Sequence, residues 1–449
     1  MNDTIAAIAT APGTASLAIV RLSGPQAREI ARHIAPDASF RPRHAQLCDF
    51  LDSQEKMIDR GIVLYFQAPR SFTGEEVLEF QTHGGYLIAQ EILQALLKHG
   101  ARLARPGEFS KRAFLNGKID LSEAEAIARI IEAKSVDAAR ILARQIKGEL
   151  GSFVREVREE LLEAMAHSEV MIDYAEEEIP ADLMDTLSGK LTRLESRLKE
   201  LVESSRRRQG LIEGFRVAIV GKPNVGKSSL LNRLLQYERA IVSEWAGTTR
   251  DTIEEHLKVG SHVIRIIDTA GIRQTEDRIE QIGVERSLRS IEEAEVLIAL
   301  FDLSRPWEAE DEEIFRQLRQ AKEEGKELIV ALNKSDLPAV MEHSLLEEFS
   351  PVRISAKEGA YEALMAELER RLDRLAGDEE LMLASSRQIE AVERCAGEIS
   401  RAREPLERGE LELFSYHLQE AVGALSELTH PFEHEEMLER MFGEFCLGK

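Results

Sequence analysis

The sequence predicts a multidomain protein with an α+β N-terminal domain, an all-α helical domain and an α/β domain inserted into the helical one. Near-continuous apolar runs such as "RVAIV", "VLIALFD" and "ELIVALN", each followed by a helical stretch, are typical of parallel strands buried on both faces. Before and after these runs, apolar residues recur at helical spacing. We therefore expect domains at 1–117, 118–213, 214–376 and 377–449, with the second and fourth ranges forming one helical domain.

The first 117 residues mix β-like runs with at least two helical stretches. The runs are "SLAIVRLSG", "GIVLYFQA" and "EEVLEFQTHGG". This mixture predicts an α+β domain.

The helical domain begins in "DLSEAEAIARIIEAKSVDAARILARQIKGEL", whose apolar positions have helical spacing. Ser122 followed by Glu125 fits a capping box at the start of the first helix. Near the other end, one apolar stripe predicts a helix that docks the end of the chain against the helical domain. Its members are Met437, Leu438, Met441, Phe442 and Phe445.

Charge and cysteine content limit the class of protein. The net charge of −23 over 449 residues means that any RNA site must be a local basic patch, for which "SSRRRQG" and "ARLARPGEFSKR" are candidates. Three scattered cysteines, Cys48, Cys395 and Cys446, fit a reducing cytosol, and we expect a cytoplasmic protein. No signal peptide and no apolar stretch of about 18 residues is present, so we expect no membrane span.

A phosphate-binding loop is predicted in "GKPNVGKS", which follows the strand "RVAIV" and opens a helix. Its glycines let backbone N–H groups surround phosphate oxygens, and the helix N-terminus adds positive charge. Lys227 is expected at the β- and γ-phosphates, and Ser228 offers a hydroxyl to Mg²⁺.

Three further motifs follow in order, each at a strand end, and together they predict GTP as the nucleotide. "DTAG" places a carboxylate beside the metal and an N–H at the γ-phosphate, and "SAK" supplies an N–H to guanine O6. In "NKSD", Asp336 can accept hydrogen bonds from guanine N1–H and the amino group, both of which adenine lacks. A mismatch of this kind discriminates by about 10⁴–10⁵. Residues 214–376 thus resemble the Ras-like P-loop GTPases.

Hydrolysis must differ from that in Ras, because Ile272 follows "DTAG" where Ras-type enzymes carry the water-orienting glutamine, and no arginine finger is evident. Four nearby acids could orient the water: Glu276, Asp277, Glu280 and Glu285. Asn224 and carbonyls of "SEWAGTTRD" could hold a monovalent cation, and Thr249 is the expected second Mg²⁺ ligand.

The predicted GTP contacts span all of these motifs. They are Asn224, Val225, Gly226, Lys227, Ser228, Ser229, Ser243, Glu244, Trp245, Ala246, Gly247, Thr248, Thr249, Asp268, Thr269, Ala270, Gly271, Asn333, Lys334, Asp336, Ser355, Ala356 and Lys357.

Over its whole length the chain resembles the MnmE (TrmE) family of bacterial tRNA-modification GTPases. The domain order, "AGTTRD", "FTGEEVLEFQTHGG", "RPGEFSKRAFLNGKIDL" and a C-terminal "C-x-G-K" carry the resemblance. It implies a homodimer that works with the FAD-dependent protein MnmG (GidA) in a heterotetramer. The pair would add an aminomethyl or carboxymethylaminomethyl group to C5 of the wobble uridine of certain tRNAs. The one-carbon unit would come from 5-formyl- or 5,10-methylene-tetrahydrofolate.

The resemblance also implies residue roles. K⁺ would take the place of the arginine finger, with Asn224, Ser243, Trp245 and Thr248 as its ligands. The Mg²⁺ ligands would be Ser228 and Thr249, and Glu280 would orient the attacking water. The folate-binding residues would be Arg21, Glu79, Lys118 and Lys449. Trp245 stands where the family has a smaller aliphatic residue, but only its carbonyl is a ligand.

Two questions stay open at this point. Cys446 is in the position of a prenylated cysteine, but Gly448 and Lys449 do not fit that signal, so either a chemical role beside the folate site or a packing role remains. The alternative to a modification enzyme is a regulatory GTPase switch, for example a ribosome-assembly factor.

Overall fold

The structure, a computed structural model, describes residues 3–173, 181–239, 255–267, 292–377, 381–430, 439, 441–443, 445 and 448. These residues form two compact units. The first contains the described residues of 1–131, 143–195 and 391–449, and the second those of 132–142 and 196–390.

The first unit begins with a six-stranded sheet in the order β3-β4-β5-β2-β1-β6. Its strands are β1 (Ile5–Ile8), β2 (Leu17–Ser23), β3 (Gln46–Leu51), β4 (Met57–Phe66), β5 (Val77–His83) and β6 (Arg102–Leu103). Helices α1 (Ala27–Ile34) and α2 (Tyr86–Lys98) bury their apolar residues against one face of the sheet, and α3 (Glu108–Leu115) follows β6. The three predicted β-like runs form β2, β4 and β5, and the α+β prediction is confirmed.

Long helices follow, as predicted. They are α4 (Leu121–Glu132), α5 (Val136–Ile146), α6 (Glu149–Asp173) and α7 (Ala181–Arg207). The second unit then adds α8 (Gly210–Glu213), β7 (Phe215–Val220), α9 (Lys227–Arg239), β8 (Glu255–Val259), β9 (His262–Ile267), β10 (Val296–Asp302), α10 (Ala309–Glu323), β11 (Glu327–Asn333), β12 (Val352–Arg353) and α11 (Glu362–Ala376). Helices α12 (Ser386–Arg408) and α13 (Leu411–Ser426) complete the order. The α/β region therefore interrupts the helical one.

The sheet of the second unit has the order β12-β11-β10-β7-β9-β8, and β8 alone among these strands runs antiparallel to its neighbour. Strand β10 is buried along its whole length, which explains its uninterrupted apolar sequence. Because β7 and β11 are parallel to β10, the loops that follow them emerge at one edge of the sheet. Ligands bind at this edge of α/β sheets.

The predicted capping box at Ser122 and Glu125 is wrong by two residues. Asp120 and Glu123 form it instead, because each carboxylate accepts the other's backbone N–H at 2.8 Å. Ser122 lies within the first turn, where its buried hydroxyl donates to the carbonyl of Leu428 at 2.7 Å. The stretch "DLSEAE" contains both patterns, and spacing alone does not distinguish them.

The predicted docking of the apolar stripe against the helical domain also needs correction. Of its members the structure describes Met441, Phe442 and Phe445, and the Phe442 ring lies 6.2 Å from that of Phe114 in α3. A Cβ at Gly107 would lie 2.2 Å from the Phe442 carbonyl oxygen. The contacts shown by the described residues therefore place this segment on the N-terminal domain, where a glycine lets the backbone approach.

None of the helices in the described ranges has the length and apolar character needed to cross a bilayer.

Candidate functional site

The loop between β7 and α9 has the backbone of a phosphate cradle. Asn224 and Gly226 have φ angles of +62° and +108°, and left-handed residues of this kind occur in the backbone nests that bind anions. A Cβ at Gly226 would lie 2.2 Å from the side-chain amide nitrogen of Asn333, and glycine is therefore required. Ser228 and Ser229 follow in the first turn of α9, as the motif predicts.

Lys227 is the first residue of α9, and its side chain reaches back to this loop. Its Nζ donates to the carbonyls of Gly221 and Lys222, at 2.5 and 2.9 Å. The ammonium group is thus held next to the backbone N–H groups that the motif assigns to the phosphates.

Asn333 joins the phosphate loop to the base-binding loops. Its side-chain N–H donates to the carbonyl of Val225 at 2.7 Å, and its Oδ1 accepts the N–H of Ala356 at 3.0 Å. Asn333 is almost fully buried, so each polar atom needs a partner, and these two loops supply them.

Asp336 is oriented by the neighbouring loop. The hydroxyl of Ser355 donates to Asp336 Oδ1 at 2.7 Å, and this bond holds the pKa of the exposed carboxyl below its usual value. Arg233 on α9 donates to the carbonyl of Lys357 at 2.9 Å and fixes the same loop from the other side. The structure thus presents an ionised carboxylate, as a guanine site requires.

Two supporting residues of this site were missed by the sequence analysis. Asp302, buried at the end of β10, accepts a hydrogen bond from Lys334 Nζ at 2.5 Å. Burial alone would raise the pKa of Asp302, but the bonds from Lys334 and Ser304 outweigh it and the pKa is lowered. An acid at the end of a buried strand, in register with Asn333, was the available clue.

Lys222 is the second missed residue. Its buried Nζ contacts Asp311 Oδ2 at 2.7 Å and Glu308 Oε2 at 2.8 Å, at the start of α10. Burial would lower the pKa of this lysine, but the two carboxylates more than compensate and raise it. The pair anchors the phosphate loop to α10.

A second group of predicted residues meets in the first unit. Arg21 and Glu79 lie opposite each other on β2 and β5, with Arg21 Nε 2.9 Å from Glu79 Oε1. Arg21 Nη1 also donates to the carbonyl of Gly448 at 3.2 Å. The rings of Phe72 and Phe109 lie 6.0 and 5.6 Å from the guanidinium carbon. The structure therefore places a segment from the end of the chain beside the predicted folate residues.

Lys118 is close to this region but not joined to the pair. Its side chain lies over Gly74, and in the described part of the chain it forms no hydrogen bond with Arg21 or Glu79.

Several predicted site residues lie outside the described ranges. They are Ser243, Glu244, Trp245, Ala246, Gly247, Thr248, Thr249, Asp268, Thr269, Ala270, Gly271, the four candidate acids Glu276, Asp277, Glu280 and Glu285, Cys446 and Lys449.

Comparison with protein families gives two matches. A family described as the MnmE helical domain matches residues 121–446, and one described as the GTP-binding protein TrmE N-terminus matches residues 4–118.

Curated relatives match along the whole chain. The tRNA modification GTPase MnmE of Sulfurovum sp. (strain NBC37-1) is 57% identical over 449 residues, covering 100% of this chain and 99% of the relative. The protein of the same name from Sulfurimonas denitrificans is 53% identical and covers 100% of both chains. A crystal structure of Era with MgGDPNP and a segment of 16S ribosomal RNA is 30% identical, covering 41% of this chain and 66% of that one. Its TM-score is 0.27.

Proposed function

Because this chain belongs to the MnmE family of tRNA modification GTPases, we propose that it hydrolyses GTP in the course of modifying tRNA. The observation that carries the proposal is the joint geometry of the phosphate loop, Asn333 and the Ser355–Asp336 pair, which suits guanine at one end and phosphates at the other. In the finer form, the product is a wobble uridine with an aminomethyl or carboxymethylaminomethyl group on C5. The proposed setting is the cytoplasm.

Nucleoside analysis of tRNA from a strain that lacks the gene tests this proposal. We expect the C5-substituted wobble uridine to disappear, while unrelated modified nucleosides keep their levels. The wild-type gene should restore it, and a Lys227→Ala gene should not, because the cradle would lose its phosphate-binding ammonium group. Unchanged wobble uridine in the deletion strain would instead favour a regulatory switch, such as a ribosome-assembly factor.

The proposed hydrolytic site combines described and undescribed residues. Mg²⁺, ligated by Ser228 and Thr249, would neutralise charge on the phosphates. Asn224, at the exposed tip of the loop, would hold K⁺ together with the carbonyls of Ser243 and Trp245 and with Thr248. Glu280 would orient the attacking water.

The proposed one-carbon site is built around Arg21 and Glu79, with Lys118 and Lys449 as further cations for the folate glutamate tail. A half-buried carboxylate, paired with an arginine whose guanidinium carbon lies 6.0 and 5.6 Å from two phenylalanine rings, suits a flat heterocycle with several N–H donors. The Gly448 carbonyl lies 3.2 Å from Arg21, and Cys446 is two residues before Gly448 in the sequence, which motivates a test of this cysteine. Whether Cys446 attacks or only packs is then tested by comparing wobble-uridine levels in a Cys446→Ser strain with those of the wild type.

Glu79→Gln should weaken 5-formyl-tetrahydrofolate binding by roughly ten- to hundredfold, because hydrogen bonds to an ionised group contribute about 1.5–3 kcal/mol. Titration calorimetry on the full chain measures the change. Glu91→Gln, on the exposed side of α2, removes the same charge from the same domain and should bind as the wild type does. Equal affinity of the Glu79 and Glu91 variants would contradict the assignment. If Glu79→Gln lowers the Tm, Arg21→Lys retests the site with its charge kept.

The proposed assembly is a homodimer that binds an FAD-dependent MnmG (GidA) partner. Two apolar residues support the homodimer. Leu47 and Ile62 pair in register on the face of the N-terminal sheet that α1 and α2 do not cover, and they are 65% and 37% exposed. Apolar residues grouped on a surface mark interaction sites. Light scattering that returns the molar mass of a single chain would exclude the homodimer.

A further inference from the structure

The charge of the chain is distributed very unevenly. Residues 1–117 contain 13 Lys and Arg against 12 Asp and Glu, whereas the whole chain has a net charge of −23. The remaining residues therefore carry −24, and a polyanion meets the weakest repulsion at the N-terminal domain.

The two basic segments singled out in the sequence leave few free cations. Within 101–112, Arg102 pairs with Asp3 and Glu108, and Arg112 is buried among the same acids and Glu75. Arg105 and Lys111 both face Glu439, at 3.8 and 3.7 Å. In the segment 206–208, Arg208 is buried. The structure therefore disfavours the stretch "ARLARPGEFSKR" as a phosphate-binding surface.

Four other arginines belong to α1 and to two chain segments that meet near Tyr65, close to the end of β4; we call Arg28, Arg41, Arg43 and Arg70 the arginine patch. The guanidinium carbon of Arg28 lies 5.5 Å from the centroid of the Tyr65 ring. The backbone of Pro42 bridges to Tyr65, and the Arg43 N–H donates to the Tyr65 carbonyl at 2.8 Å, which brings Arg41 and Arg43 to the same place. The Arg43 guanidinium then donates to the carbonyl of Arg70 at 3.1 Å.

The charges of the arginine patch are available. All four side chains are exposed, and within the described residues none of them forms an ion pair. Glu76 lies next to Tyr65, but its carboxylate accepts the Tyr65 hydroxyl and the N–H of Ala68. Like charges that share a small surface repel one another, and a bound anion relieves that repulsion.

The loop that presents two of these arginines is fixed. Arg43 has a φ of +58°, in the left-handed region that costs a non-glycine residue about 1–3 kcal/mol. The Pro42 bridge and the Arg43 hydrogen bond to Tyr65 hold this conformation. The backbone that presents Arg41 and Arg43 is therefore fixed before any ligand arrives.

We propose that the arginine patch binds the phosphate backbone of tRNA, an inference that rests on the proposed function. Arginine is suited to phosphate because its planar fork donates two parallel hydrogen bonds. Tyr65 pairs in register with Leu78 on the sheet face that α1 and α2 cover, whereas the next residue, Glu79, points to the other face. The patch and the proposed one-carbon site therefore lie on opposite faces of one sheet. A base that reaches Glu79 brings the phosphates of neighbouring nucleotides onto this domain, and contacts of this kind position RNA without reading its sequence.

The salt dependence of tRNA binding tests the proposal. The probe is total tRNA from a strain that lacks the gene, and the protein is the full chain with Arg28→Gln, Arg41→Gln, Arg43→Asn and Arg70→Gln; asparagine tolerates the positive φ at position 43. We expect affinity at 100 mM salt to fall by about tenfold or more. The slope of log K against log salt should decrease by about one for each phosphate that the variant no longer binds.

A matched control removes four exposed arginines that already have acidic partners: Arg316, Arg370, Arg401 and Arg408, each replaced by Gln. It changes the net charge equally and should keep the wild-type slope. If the patch variant has a lowered Tm, the two single variants Arg41→Gln and Arg70→Gln are measured in its place. In the described residues neither side chain has a hydrogen-bond or ion-pair partner, and each substitution should lower the slope by about one.

The outcomes separate this inference from the function on which it rests. An unchanged slope in the patch variant, with tRNA still bound, overturns the arginine patch and leaves the proposed function intact. A wild-type chain that binds no tRNA, with normal wobble uridine in the deletion strain, overturns both. Normal tRNA binding by the patch variant together with lost modification in the cell overturns RNA as the ligand and points to an acidic protein.

Discussion

Asp336→Asn should lower GTP affinity by about 10⁴-fold and transfer the preference to xanthosine triphosphate. The carboxylate of Asp336 faces two N–H donors of guanine in the proposed mode, and asparagine would set its own N–H against one of them. Xanthine carries a carbonyl oxygen in place of the amino group and accepts that N–H. The Ser355 hydroxyl, which donates to Oδ1 at 2.7 Å, can keep the asparagine in the same orientation.

Competition of both nucleotides against a fluorescent analogue measures the change, and Glu347→Gln is a control for loss of an exposed charge in the same domain. Parallel loss of affinity for the two triphosphates would show that the substitution only disorders the loop. The guanine assignment would then lose its support.

Glu280→Ala should slow GTP hydrolysis by about 10²–10⁴-fold, which is the contribution that a positioned base makes to a rate. The substitution should leave GTP affinity unchanged. The same assay should show the wild type losing about 10³-fold or more of its rate when K⁺ is replaced by Na⁺, since K⁺ takes the role of an arginine finger in the proposed mechanism. Ile272 leaves no glutamine to orient water, and Asn224 at the exposed loop tip is an available cation ligand.

Single-turnover hydrolysis with GTP in excess of its Kd separates the two effects from binding. Glu285→Ala, another acid of the same stretch, is the matched variant and should retain turnover. Equal rates in K⁺ and Na⁺ would exclude the cation from the mechanism. A fall in GTP affinity equal to the fall in rate would make Glu280 a structural residue.

The parts of the site that the sequence predicts well are those whose geometry is local. The phosphate loop, the start of α9 and the loop after β11 follow from short motifs at strand ends, and they lie where predicted. Asp302 and Lys222 were missed because their partners are distant: Lys222 is 86 and 89 residues from Glu308 and Asp311. No spacing rule connects such positions.

The apolar stripe shows the same limit. Its periodicity correctly indicates a buried face at Phe442, but periodicity does not name the surface against which that face packs. The complementary feature, the absence of a side chain at Gly107, becomes interpretable only once the fold brings the two together. The capping box failed differently, because two overlapping patterns competed within six residues.

The hydrogen bond between Arg21 and Gly448 has a consequence for biosynthesis. The two partners are 427 residues apart, and a ribosome adding about 5–20 residues per second needs roughly 20 to 85 s to connect them. The N-terminal sheet can therefore fold long before Arg21 acquires its hydrogen bond to the Gly448 carbonyl. A chain whose translation stops early would retain a complete phosphate loop and yet lack this part of the second site.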